Sequence, residues 1–108
     1  MKSIETLISD MIHAIESIES YHVPSFEVFL DDEKTQDAIM YNVIILGEAA
    51  NRIGQEFQEK HPEIPWSSII GTRNVIVHGY DQVKLQIIWD ILTKDLPSLK
   101  NKLQSIEK

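Results

Sequence analysis

Within a chain rich in leucine and isoleucine, the stretch from Gly71 to Tyr80, GTRNVIVHGY, sets an arginine, a histidine and a tyrosine close together. Histidine exchanges a proton near neutral pH, and arginine keeps its charge and grips a phosphate through two parallel hydrogen bonds. A tyrosine hydroxyl is a group that can be modified. With no carboxylate metal cluster beside them, Arg73 and His78 suit phosphodiester chemistry by proton transfer and charge stabilisation. The same spacing admits a plain structural reading: Arg73 pairs with an acidic residue, His78 caps the last carbonyls of a helix, and Tyr80 packs with its hydroxyl satisfied. Helical geometry separates the first two. Five steps of about 100° leave Arg73 and His78 roughly 140° apart around the axis. Asn74 and His78, at i and i+4, do share a face, so Asn74 is placed to orient His78 or to bind phosphate, and reads equally as a plain helix-facing polar residue. Arg73 reaches across only by its long stem or from another chain.

The elements that must position these residues read as helices. Ile4, Leu7, Ile8, Met11, Ile12, Ile15 and Ile18 recur at three- and four-residue steps and predict a first helix over 3–20. Ser25 is placed to cap a short helical turn from Phe26 to Leu30. Asp31, Asp32 and Glu33 suit a helix N-terminus, and the stripe Ile39, Val43, Leu46, Ala50, Ile53 and Phe57 predicts a second long helix over about 32–59. On it Gly47, Ala49 and Ala50 are small enough for close helix approach, and Glu48 among them can anchor Arg73. Pro62 and Pro65 make His61–Trp66 a rigid connector. A short helix from Trp66 to Ile70, a bend at Gly71, and a helical segment from Thr72 to about His78 follow. Gly79 lets the chain turn, Asp81 is placed to cap the last helix, and Pro97 to kink it. No strand alternation or repeat appears, so the fold class is an all-α bundle.

Composition narrows the function. The chain of 108 residues reads as one domain, short enough to lean on a partner subunit. It holds no cysteine, which excludes disulfides and a thiol nucleophile and leaves only His and carboxylates as metal ligands. His13, His22 and His61 lack the paired spacing of a zinc site, so no metal is expected. No stretch approaches the roughly 18 apolar residues of a membrane span, and Met1-Lys2-Ser3-Ile4 runs straight into an amphipathic pattern, so a cytoplasmic protein without membrane contact is expected. A net charge of −7 argues against sequence-blind adhesion to nucleic acid. Residues 1–60 carry 12 acidic and 4 basic side chains, and residues 61–108 carry 5 and 6, so a polyanion falls to the second half. An acidic face could equally receive a basic partner protein. Arg52 reads as an exposed charge, and Trp66 and Trp89 as packing residues rather than base-stacking platforms.

Arg73, His78 and Tyr80 resemble the signature of the HEPN superfamily and, more closely, its HepT branch, where a tyrosine stands two residues after the histidine. The segments IILGEAANRIGQEF (44–57), HPEIPW (61–66), IIGTRNVIVHGY (69–80) and DLPSLK (95–100) follow the HepT-like order, so the resemblance covers nearly the whole chain. It implies a single domain over 1–108, an all-α bundle of about four to five helices, and a homodimer or higher even oligomer whose two motifs meet in a cleft. It further implies a metal-independent endoribonuclease without a cofactor, the toxin of a type VII toxin–antitoxin module, with Arg73 and His78 catalytic and Asn74 and Glu48 supporting. RNA, not DNA, is the implied substrate. The implied partner is an MntA-like minimal nucleotidyltransferase antitoxin, which uses ATP to transfer AMP units to Tyr80. Two other readings compete: a non-catalytic helical partner whose purpose is to dock a nucleotidyltransferase and be modified by it, and a helical dimer in which Arg73 and His78 only satisfy interface charges.

Overall fold

The computed structural model describes residues 2–107; Met1 and Lys108, used above in the N-terminal reading and the charge balance, lie outside them. Among the described residues every regular element is helical. Helix α1 (Ile4–Glu19) starts at Ser3, whose hydroxyl accepts from the Thr6 amide, and α2 (Phe26–Leu30) starts at Ser25, whose hydroxyl accepts from the Val28 amide. These caps satisfy N–H groups that a helix start leaves without partners. Asp32 does the same for α3 (Glu33–Ile53), accepting from Thr35. That contact, with the Thr35 hydroxyl first among its causes, holds the Asp32 carboxyl below the usual carboxylate range. Helices α4 (Gln55–Lys60) and α5 (Trp66–His78) follow, then a 3-10 turn at Tyr80–Gln82, α6 (Leu85–Asp90), a π-helical turn at Ile91–Asp95, and α7 (Leu96–Glu107).

Helix α3 is the centre of the bundle, with α1 packed on one side and α5 on another, and α7 returns against α1. The expected stripes point inward: Met11, Ile15 and Ile18 of α1, Ile39, Val43 and Ala50 of α3, Ile76 of α5, and Leu103 of α7 are almost wholly buried. Trp89 packs on Phe26 and Phe29, and Trp66 is buried with its indole N–H donated to the His61 carbonyl at 2.9 Å, so both tryptophans are packing residues. Lys100 on α7 reaches Glu19 on α1 at 2.7 Å. No helix among the described residues is long and apolar enough to cross a membrane.

Four expectations need correction. The helix expected over 32–59 breaks at Gly54, whose φ of +93° lies in the left-handed region that side-chain-bearing residues avoid. Gln58 then turns back to donate to the Ala50 carbonyl at 2.9 Å, closing the end of α3. Gly71 does not bend the chain: α5 runs unbroken through it, carried by Ile69 and Ile76, buried on either side. Asp81 does not cap the last helix. The Gln82 amide bonds the Gly79 carbonyl at 2.8 Å and closes a 3-10 turn around it, so α6 starts only after Lys84 and without a side-chain cap. The irregularity expected at Pro97 appears one turn earlier, as the π turn. Proline has no amide for the carbonyl four residues back, and a locally widened helix absorbs that loss.

Candidate active site

Arg73 stands where α3 and α5 come closest. A Cβ placed on Gly47 would lie 2.2 Å from the Arg73 Cβ, 2.8 Å from its Cγ and 3.2 Å from the Ile69 carbonyl oxygen. Only a residue without a side chain permits that approach. The seam closes over the Arg73 Nε, which is buried without a hydrogen-bond partner. An orphaned buried donor costs about 1–3 kcal/mol, so the packing around Gly47 bears that cost. The side chain as a whole keeps 29% exposure, and its two terminal nitrogens are fixed by neighbours. Nη1 donates to Asn74 Oδ1 at 2.8 Å, and Nη2 lies 3.4 Å from Glu48 Oε1. The guanidinium is therefore held as a fork, its stem clamped at the helix seam.

Glu48 takes the anchoring position expected of it. Asn74 makes no hydrogen bond to His78 within the chain; its amide oxygen accepts from the Arg73 guanidinium instead. His78 is the last residue of α5, exposed, with Gly79 beyond it. Gly79 turns the chain at φ −147°, outside the left-handed region, and its amide donates to the Val75 carbonyl at 2.9 Å. Arg73 and His78 thus lie on one continuous helix, where five residues mean about 7.5 Å of rise and opposite-leaning directions. Val77, 44% exposed, lies on the arc between them, and Val75, 60% exposed, lies on the far side of His78.

Tyr80 is nearly half exposed, and its hydroxyl donates to Asp37 Oδ1, a residue 43 positions earlier on the first half of α3. The hydrogen bond to Asp37, then burial and the charges of Asp37 and Glu33, push the phenol up to about 12. Each of these causes favours the neutral form. Nothing in the motif pointed to Asp37, since the contact exists only once α3 and α5 have packed antiparallel. Glu48 and Asp37 are eleven residues apart on α3, so Arg73 and Tyr80 are anchored at points about 16 Å apart along that helix. Among the described residues no three His, Cys, Asp or Glu side chains are grouped to hold a metal ion.

A family model described as HepT-like, ribonuclease HepT-like, matches residues 11–106. A relative in Thermococcus cleftensis named "Probable ribonuclease HepT" is 37% identical over 108 residues, covering 99% of this chain and 98% of its own. A candidate RNase of Caldanaerobacter subterraneus subsp. tengcongensis is 37% identical over 82 residues, 76% of this chain and 73% of its own. Another, in Methanocaldococcus jannaschii, is 28% identical over 108 residues, 99% and 89% of the two chains. None of the solved structures matches at a significant level. With a family match across almost its whole length and a full-length relative at this identity, the chain belongs to the HepT-like ribonuclease family.

Proposed function

We propose that this protein is a metal-independent endoribonuclease, the cytoplasmic toxin of a type VII toxin–antitoxin module. In this reading it acts as a homodimer or higher even oligomer, and an MntA-like nucleotidyltransferase neutralises it by transferring AMP from ATP to Tyr80. One observation carries the reading: a HepT-like chain presents a clamped guanidinium, Arg73, and an exposed imidazole, His78, on the same helix. Within one chain the two lean away from each other, and a cleft between two copies relieves them of having to meet.

His78 serves as general base at the ribose 2′-hydroxyl or as general acid at the leaving 5′-oxygen. Arg73 stabilises the charge that builds on the phosphorane, with its fork pre-set by Glu48 and Asn74. DNA resists because it lacks the 2′-hydroxyl nucleophile. General acid–base assistance is worth about 10²- to 10⁴-fold, so His78→Ala should nearly abolish cleavage. The test is RNA cleavage in EDTA by the wild type, Arg73→Ala and His78→Ala; full activity retained in both variants removes the proposal. AMP on Tyr80 adds bulk and negative charge beside a cleft that must accept a phosphate, so inhibition follows without unfolding.

The net charge of −7 and the carboxylates around Tyr80 favour a second reading, a non-catalytic partner that docks a nucleotidyltransferase. Growth arrest on expression of the chain alone, relieved by His78→Ala, supports the enzyme. No arrest and no cleavage supports the docking partner.

A further inference from the structure

Resting on the reading of Tyr80 as the residue that receives AMP, we infer that Asp37 is the base for that transfer, taking the phenolic proton as Tyr80 attacks the nucleotide. The contact is tertiary, set by the packing of α3 against α5 across 43 residues of sequence, and both side chains are exposed. A nucleotide held by a partner enzyme can therefore reach the phenolic oxygen while its proton still points at the carboxylate.

The step balances. A lone pair of the Tyr80 oxygen forms a bond to the α-phosphorus of ATP, the bond from that phosphorus to the bridging oxygen breaks, and pyrophosphate leaves with the electron pair. The phenolic proton passes to the Asp37 carboxylate and from there to solvent. Nothing is oxidised or reduced.

A base is needed because the phenol does not ionise by itself. With its value pushed up to about 12, the Tyr80 phenol stays neutral at neutral pH. The bond that keeps the resting phenol neutral is also the route by which the proton leaves once the oxygen begins to bond to phosphorus. Glu33 adds negative charge nearby, but Asp37 is the side chain that accepts the hydroxyl hydrogen.

The test follows AMP adducts by intact-mass and peptide mass spectrometry on the full chain with its nucleotidyltransferase and ATP. It compares wild type, Tyr80→Phe, Asp37→Asn and Asp37→Glu. Asparagine keeps an oxygen that can accept the hydrogen bond but cannot take the proton; glutamate keeps the basic group. The expected result is a maximal rate at least about 10²-fold lower in Asp37→Asn, an unchanged half-saturating concentration of the chain, and recovery of about tenfold or more of the lost rate in Asp37→Glu. Asp37→Asn at the wild-type rate, or Asp37→Glu as slow as Asp37→Asn, overturns the inference. Wild type that stays unmodified at Tyr80 overturns the AMP-transfer reading itself, and the role of Asp37 with it.

Discussion

Replacing Gly47 with alanine is the sharpest perturbation the seam between α3 and α5 offers. The new methyl would sit 2.2 Å from the Arg73 Cβ, so about 1.2 Å of separation is needed before ordinary contact at 3.4 Å is restored. The nearest atom is a Cβ fixed to the α5 backbone, and the Ile69 carbonyl at 3.2 Å stands behind it, so a rotamer change cannot relieve the clash. Overpacking of this kind costs about 1–3 kcal/mol, and the helix-propensity gain of glycine to alanine returns about 0.5–1 kcal/mol. The balance is a net loss of up to about 2.5 kcal/mol, and at its middle, about 1 kcal/mol, the melting temperature falls by roughly 4–8 °C in a domain of this size. Catalysis should suffer more than stability, because a misplacement of about 1 Å can cost around 10²-fold in rate. RNA cleavage measured well below the melting transition should therefore fall by that order while circular dichroism still reports a folded helical protein. If Gly47→Ala melts at the wild-type temperature and cleaves at the wild-type rate, the seam has room to spare and does not set the position of Arg73.

The opposite outcome is expected at Gly71, where an added Cβ meets nothing within 4 Å inside α5; Gly71→Ala should stabilise the chain by about 0.5–1 kcal/mol in urea unfolding, and a destabilised variant would contradict the open space. Glu48→Gln weakens a partly exposed pair at 3.4 Å, so cleavage should fall by no more than about fivefold, and a loss as deep as that of Arg73→Ala would assign Glu48 a larger part. Asn74→Ala removes the other fixing contact, and combining it with Glu48→Gln should cost more than the two single losses multiplied, because either one alone still holds the fork. Tyr80 should ionise near pH 12 in a tyrosinate absorbance titration referenced to Tyr80→Phe, and Asp37→Ala, which removes both the hydrogen bond and the charge, should bring that midpoint back toward the ordinary value of 10.0. Raised on folding, the Tyr80 phenol stabilises the fold fully below its unfolded value and loses that contribution as pH climbs from about 10 through about 12.

Two glycines show where sequence periodicity carries structural information and where it does not. The apolar stripe of α3 continues in phase to Phe57, so the pattern alone runs the helix past Gly54; the break is a backbone event, a φ of +93°, that leaves no trace in the spacing of apolar residues. Gly71 invites the reverse misreading. It looks like a hinge, yet Ile69 and Ile76 are buried on either side and hold the helix straight through it. Local signals served better: Ser25 caps the turn it was expected to cap, and the expected stripe of α1 is buried from Leu7 to Ile18, with Ile4 in the first turn exposed. Asp81 failed as a cap because the 3-10 turn after Gly79 claims its backbone first.

The site divides along the same line. The meeting of Glu48 with Arg73 was readable because Gly47, Ala49 and Ala50 mark the place on α3 where another helix can come close. Of the roles open to Asn74, orienting His78 within the chain is not the one its hydrogen bond takes, since a shared face describes Cβ directions while its amide oxygen accepts from the Arg73 guanidinium. Asp37 could not be read at all, because its contact depends on the register of one helix against another. That register is pinned at Gly47. With the Arg73 Cβ locked against it, the antiparallel run of α5 and its turn carries the chain back along α3 until Tyr80 arrives beside Asp37, ten residues and about 15 Å of helix from the pin. A change at Gly47 thus reaches both ends of the proposed site: the guanidinium that would face the phosphate, and the phenol that would take the AMP.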